Sequence, residues 1–243
     1  MPSNFTILLT VLLICFSGNL HPIGAQTCTK TDSLLARAYQ RDQDIRLKFM
    51  ELTQHLNNEN LNQTPTTVID SLVELKAQME AIDQQNQHLL ASLLQNGFPK
   101  GLSPQSYKTI WLIVDHADLK LQTLYLPLMQ EAVTKGLISA SNYATLTDRI
   151  RMKEGKPQIY GTQSYTVTID AQQITYIWPV EEPERLNDLR KEIGVGSIEE
   201  YIQLLKTTTG SKVIYQPDLT IDQMREKGLL DACLLYTSPS PRD

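Results

Sequence analysis

A few side chains in this sequence could do acid–base chemistry if the fold brought them together. His116 carries the one type of side chain whose charge ordinarily changes near neutral pH. Asp42 and Asp148 are carboxylates that could orient it or exchange protons with it. Asn86, Arg149, Tyr160 and Gln163 supply amide, guanidinium and phenol groups of the sort that fix a small polar ligand. His116 and Asp118 are two residues apart, so on a helix they project to opposite sides and cannot form a dyad with each other. A partner for His116 must come from another segment. Each candidate also has an ordinary structural role open to it. Asp42 could pair with Arg46 one turn later, Asn86 could fix helix register, His116 could be a hydrogen-bonded core residue, and Asp148 could form an exposed pair with Arg151.

The elements that must position these groups are mostly helices. Leu35, Ala38, Ile45, Phe49, Leu52 and Leu56 recur at three-four spacing, with Asp42 in the middle of the stripe. A polar connector, Asn57 to Thr64, leads to a second stripe running from Val68 through Leu75 to Leu93, in which Asn86 takes a seam position. Ser103-Pro104 caps a third helix that is apolar all round at Ile110 to Val114, which predicts the central, most buried helix, with His116 at its end. The stripe continues through Leu121, Leu124 and Leu128, and Pro127 is expected to kink or break it near Thr123. Ser139 or Ser141 caps a helix with Tyr143, Leu146 and Ile150 inward, which turns Asp148 away from the core unless Gln158 to Gln163 folds back over it. Tyr165 to Ile169 and Ile174 to Trp178 alternate as a β-hairpin around Asp170 to Gln173. Beyond it, Pro183 opens a helix ending at Gly194, Ser197 with Glu200 forms a capping box, Lys212 to Tyr215 reads as a short strand and Thr220 caps a last helix.

Several short runs carry a family resemblance: Arg41-Asp42-Gln43, the Asn86 region, Asp115-His116-Ala117-Asp118, Tyr125-Leu126-Pro127-Leu128, Thr147-Asp148-Arg149-Ile150 and Gln158-Ile159-Tyr160-Gly161-Thr162-Gln163. Over about residues 37 to 201 the chain resembles the bacterial family catalogued as domain of unknown function 6624. The resemblance implies a shared fold and a shared polar cluster, and no reaction. At Gly101-Leu102-Ser103 the chain departs from a Val-Gly often found there.

Composition narrows the function classes further. The net charge of −5 gives no electrostatic footprint for nucleic acid or an anionic membrane. No G-x-S-x-G elbow, phosphate-binding loop or G-x-G-x-x-G run is present. His55, His88 and His116 are far apart and lack a Cys or Glu cluster at ligand spacing, so neither a metal nor another cofactor is expected. Residues 1–25 hold no Lys, Arg, Asp or Glu and include the apolar run Phe5 to Phe16, too short for a membrane span. They read as a signal peptide cut after Ala25, which predicts an exported, periplasmic or extracellular protein; Ile14 before Cys15 makes the lipoprotein reading the weaker one. Residues 233–243 (CLLYTSPSPRD) read as a translated transposon-type sequencing adapter rather than native protein. That leaves residues 26–232 as one domain, in which Cys28 has no intrachain partner.

The expected fold is mainly α, a helical bundle with one β-hairpin packed on its side. Four separate segments offer polar groups inward, and burying each without a partner would cost about 1–3 kcal/mol. Asp42, Asn86, His116, Arg149, Tyr160 and Gln163 are therefore expected to line one cavity. The first functional reading is an exported binding or interaction module for a small polar ligand or a protein partner. The alternative is a hydrolase-like acid–base enzyme using His116 with Asp42 or Asp148.

Overall fold

The computed structural model describes residues 30–57, 66–169 and 172–227. Two long helices, α1 (Lys30–Asn57) and α2 (Thr66–Leu94), pack against each other. The connector, residues 58–65, can stretch no further than about 28 Å, short of the ~42 Å length of α1. The pair must therefore be antiparallel. Arg46 reaches both Met79 and Asp83 across it, a register that places Asn86 level with Asp42.

The third helix, α3 (Pro104–His116), starts at the Ser103 cap, whose side chain accepts from the Ser106 backbone N–H. Ile110 to Val114 are all buried, as an all-round apolar run requires. Asp32 near the start of α1 accepts from the Ser103 N–H at 2.9 Å and the Ser106 hydroxyl at 2.6 Å, which ties the first turns of α1 and α3 together. Two more helices, α4 (Leu119–Thr134) and α5 (Ala140–Lys153), complete this layer. Its core gathers Leu35, Leu90, Ile110, Leu112, Met129 and Leu146, each no more than 1% exposed.

The chain breaks at Ala117–Asp118 and not at Thr123, and α4 runs through Pro127. The reason is local: Asp118 accepts from the Leu121 N–H at 2.8 Å, so it serves as the N-cap of a new helix. Leu75 is only half-buried; the buried apolar residues of α2, Leu90 and Leu94, lie in its second half.

The hairpin is part of a three-stranded sheet. β1 (Ser164–Ile169) pairs antiparallel with β2 (Gln172–Ile177), and β2 pairs parallel with β3 (Lys212–Ile214). Gln172 and Gln173, expected in the turn, belong to the ladder. Both faces are covered. Tyr165 and Val167 pack with Met152, Trp178, Leu219 and Met224 on one side. Ile177 and Val213 pack with Leu186, Ile198, Tyr201 and Leu205 on the other. These last come from a 3-10 turn at Pro183–Arg185 running into α6 (Leu186–Glu192), and from α7 (Ile198–Thr209), which has the expected Ser197–Glu200 capping box; α8 (Ile221–Glu226) carries Met224. The fold is mainly helical with a small sheet alongside. No helix among the described residues is long and apolar enough to cross a membrane. The expected signal segment, residues 1–25, the connector and residues 233–243 lie outside the described residues.

Candidate functional site

The Asp32–Ser106 contact also fixes what happens at the middle of α1 and the end of α3. Ten residues on from each, about 15 Å along two parallel helices, stand Asp42 and His116. Their side chains meet, with His116 Nδ1 at 3.0 Å from Asp42 Oδ1. Both side chains are deeply buried, 6% and 2% exposed. Burial resists ionisation of Asp42, but the His116 hydrogen bond and charge, the Arg46 guanidinium and the Gln43 amide outweigh it and hold its pKa below the usual carboxylate value. Against an ionised carboxylate, the imidazole proton sits on Nδ1 and Nε2 becomes the nitrogen with proton-accepting capacity.

Arg46 locks this pair to α2. Its Nε lies 3.3 Å from both oxygens of Asp42, and its Nη2 lies 2.7 Å from Asp83 Oδ1. The two carboxylates are driven apart in acidity. Asp83 is raised, first by burial and further by the Asp42 charge, against the pull of Arg46 and His116. One oxygen each from Asp42 and Asp83 and one His116 nitrogen fall within 4.8 Å of one another, a spacing that could hold a metal ion. This corrects the expectation that no ligand cluster converges, because Asp83 comes from α2 and no sequence spacing links it to His116. A cation there would have to displace the guanidinium that already bridges both carboxylates.

In front of His116 opens a cleft of about 180 Å³, lined by Arg46, Phe49, Met79, Asp83, Asp115, His116, Arg149 and Lys153. Arg149 Nε donates to Asp115 Oδ1 at 2.9 Å, and both residues are buried. Lys153, one turn after Arg149 on α5, donates to Gln122 Oε1 at 3.1 Å and to the Ala117 carbonyl at 3.3 Å. Its pKa is lowered by burial and by the neighbouring Arg149 charge.

The remaining polar residues assemble elsewhere. Asp148 is fully buried, and residues 158–163 do fold back over it. Its two oxygens accept the backbone N–H groups of Ile159, Tyr160 and Thr162 and the Thr162 hydroxyl, at 2.7 to 3.1 Å. Burial pushes its pKa up while these donors pull it back. Arg151, the expected partner, instead donates to the Pro157 carbonyl and to Glu181. On the other side of the same loop, buried Arg190 donates to the carbonyls of Tyr160, Gly161 and Gly196. Gln158 and Gln163 brace the loop from within: Gln158 Nε2 donates to the Gln163 and Trp178 carbonyls, and the Gln163 N–H donates to Gln158 Oε1.

The single-cavity expectation is therefore corrected. Of the expected residues, His116 and Arg149 line one cleft and Asp42 contacts it only through His116 and Arg46, while Tyr160 and Gln163 are not among its lining residues and belong with Asp148 to the loop cradle. Asn86 is buried level with Asp42 but does not line the cleft, and its amide makes no hydrogen bond to the described residues. Asp118 is an exposed helix cap. Sequence reasoning missed Asp83, Asp115 and Lys153. Signals for them existed: Asp83 and Lys153 lie one turn from Asn86 and Arg149, and Asp115 directly precedes His116.

No curated protein and no solved structure matches the chain. The model of a family of unknown function, DUF6624, matches residues 43–214, a span holding every cleft residue named above; Asp42 directly precedes it. With its Asp-His run on α3, its Asp-Arg pair on α5 and the Gln-x-Tyr-Gly-Thr-Gln loop all inside that match, the chain belongs to the DUF6624 family.

Proposed function

We propose that the protein is an acid–base enzyme in which His116 exchanges a proton with substrate or water at Nε2 while Asp42 holds Nδ1–H. The observation that carries this reading is the buried 3.0 Å His116–Asp42 contact beside a cleft that His116 helps to line. His116 Nε2 is itself shielded from solvent, but a histidine needed only for packing has no use for a buried carboxylate. This one is instead held by an ionisable partner whose own acidity is strengthened. Arg46 acts as a positioning residue, since it fixes Asp42 without forming the dyad. A cleft of about 180 Å³ suits a group of a few heavy atoms, which favours small substrates or the reacting end of a larger one. The residues 1–25 sequence supports export of this activity to the periplasm or the exterior.

The test is turnover of a panel of small carboxylic and phosphoric esters by the purified protein, compared with His116→Ala and Asp42→Asn. Removing the general base should lower kcat by about 10²–10⁴, and Asp42→Asn should lower kcat while leaving KM within about threefold of wild type. Turnover unaffected by His116→Ala would end the enzyme reading. Ligand binding in the cleft without turnover would favour the binding module, which the deep, polar lining also supports.

A further inference from the structure

We infer that the cleft takes a substrate bearing an anionic oxygen group, a carboxylate or a phosphoryl, seated between Lys153 and Arg149. The inference deepens the acid–base reading above and rests on the same cleft. Arg149 and Lys153 are one turn apart on α5 and both line the cavity. Arg149 has its Asp115 partner, but the hydrogen bonds of Lys153 go to a carbonyl and an amide oxygen, and it forms no ion pair among the described residues. A partly buried ammonium beside a guanidinium is a costly arrangement that an oxyanion would relieve.

Charge counting around the cleft points the same way. Arg46, Arg149 and Lys153 face Asp42, Asp83 and Asp115. Asp83 is the member whose acidity is weakened, by burial and by the Asp42 charge, so the balance tips towards positive when it takes up a proton. The negative groups also sit on the His116 side: Asp42 and Asp83 are held by Arg46, which leaves Lys153 as the cation not committed to a carboxylate. An anion held there would occupy the same cavity that His116 lines. Guanidinium and ammonium together bind oxyanions through charge-assisted hydrogen bonds.

Inorganic phosphate and acetate are the probes, titrated into the purified protein against chloride at equal ionic strength, with melting temperature and calorimetry as readouts. Phosphate or acetate should raise the melting temperature of the wild type. Lys153→Met should weaken the affinity by about tenfold or more, and Lys153→Arg should restore most of it. A preference for phosphate over acetate would identify a phosphoryl group, and the reverse a carboxylate. His116→Ala should still bind the anion, which separates this inference from the enzyme reading: anion binding by a wild type that turns over no ester keeps the anion site and ends the enzyme reading. No specific stabilisation by either anion would overturn the inference, as would anion binding unaltered in a Lys153→Met protein that melts cooperatively. Stabilisation by a divalent cation alone would overturn it in favour of Asp42, Asp83 and His116 as a metal site.

Discussion

Asp42 and Asp148 are equally buried, at 1% and 0% exposed, yet the two carboxylates are used in different ways. Asp42 is held by side chains: His116 from α3, and Arg46 and Gln43 from its own helix. Asp148 is held mainly by peptide N–H groups of one loop. A side chain such as an imidazole can take up or release a proton, and a backbone amide cannot. The comparison teaches that burial and hydrogen-bond count do not distinguish a carboxylate with a proton-exchanging partner from one without, whereas the chemical nature of its donors does.

The loop cradle shows what the second arrangement achieves. Asp148 and Arg190 contact the same loop from opposite sides, the anion through N–H groups and the cation through carbonyls. Two buried ionisable groups are thereby held by one loop without touching each other. The conspicuous Asp148-Arg149 pair divides between the two regions, because adjacent helical residues point about 100° apart: Asp148 secures the loop and Arg149 turns to the cleft.

The comparison is most exposed to Asp148→Ala. That change strands three backbone donors and a hydroxyl in the interior and should cost roughly 3–5 kcal/mol, read from urea unfolding. A loss under about 1 kcal/mol would break the distinction between cradle and dyad. Asp42→Asn should be milder, about 1–3 kcal/mol, since Arg46 keeps Asp83 and the isosteric amide fills the same space. Its larger effect should be on turnover. Gly161→Ala tests the cradle backbone: φ is +63° and an added Cβ would lie 3.3 Å from Leu186 and Ile198 side-chain atoms. A loss of about 1–2 kcal/mol is expected, with the cleft unaffected.

The smallest effect is in pH dependence, where the two carboxylates should have opposite signs. Asp42 has a folded pKa below its unfolded value, so its contribution is present above the ordinary carboxylate range and disappears as pH falls through the folded pKa. His116, Arg46, Gln43 and Asp83 are the groups that face it. Asp148 has a raised folded pKa, so its contribution is greatest below the unfolded value and declines as pH rises through the folded one. Melting curves of Asp42→Asn should therefore converge on wild type in acid, while those of Asp148→Asn should diverge from it. Parallel curves for both variants would erase the electrostatic half of the comparison.

Much of the helical layer was legible in the chain. Three-four spacing specifies α1 and α2, Ser103-Pro104 and Ser139 mark helix starts, and the apolar run at Ile110 to Val114, following the Ser103-Pro104 start, marks a buried helix. Alternation at Tyr165 to Val167 and Ile174 to Ile177 specifies strands. Periodicity works because one face of an element meets water and the other does not. Pro127 misled, since a capping Asp118 decided the break that proline was expected to make.

The sequence by itself determined most of the helices and singled out His116, Asp42 and Arg149, while Asp83, Asp115 and Lys153 went unmarked. It could not determine who meets whom. Asp42 finds His116 only because α1 and α3 run parallel from a shared anchor at Asp32 and Ser106, and Asp83 joins them only through the register of α2 on α1. Tyr160 and Gln163 lie no further along the chain from Arg149 than 14 residues, yet the loop that holds them turns to Asp148 and away from the cleft. Local structure follows from side-chain type and period, which act over a turn or two. A site assembled from residues 42, 83, 115, 116, 149 and 153 depends on helix packing and direction, which spacing along the chain does not encode.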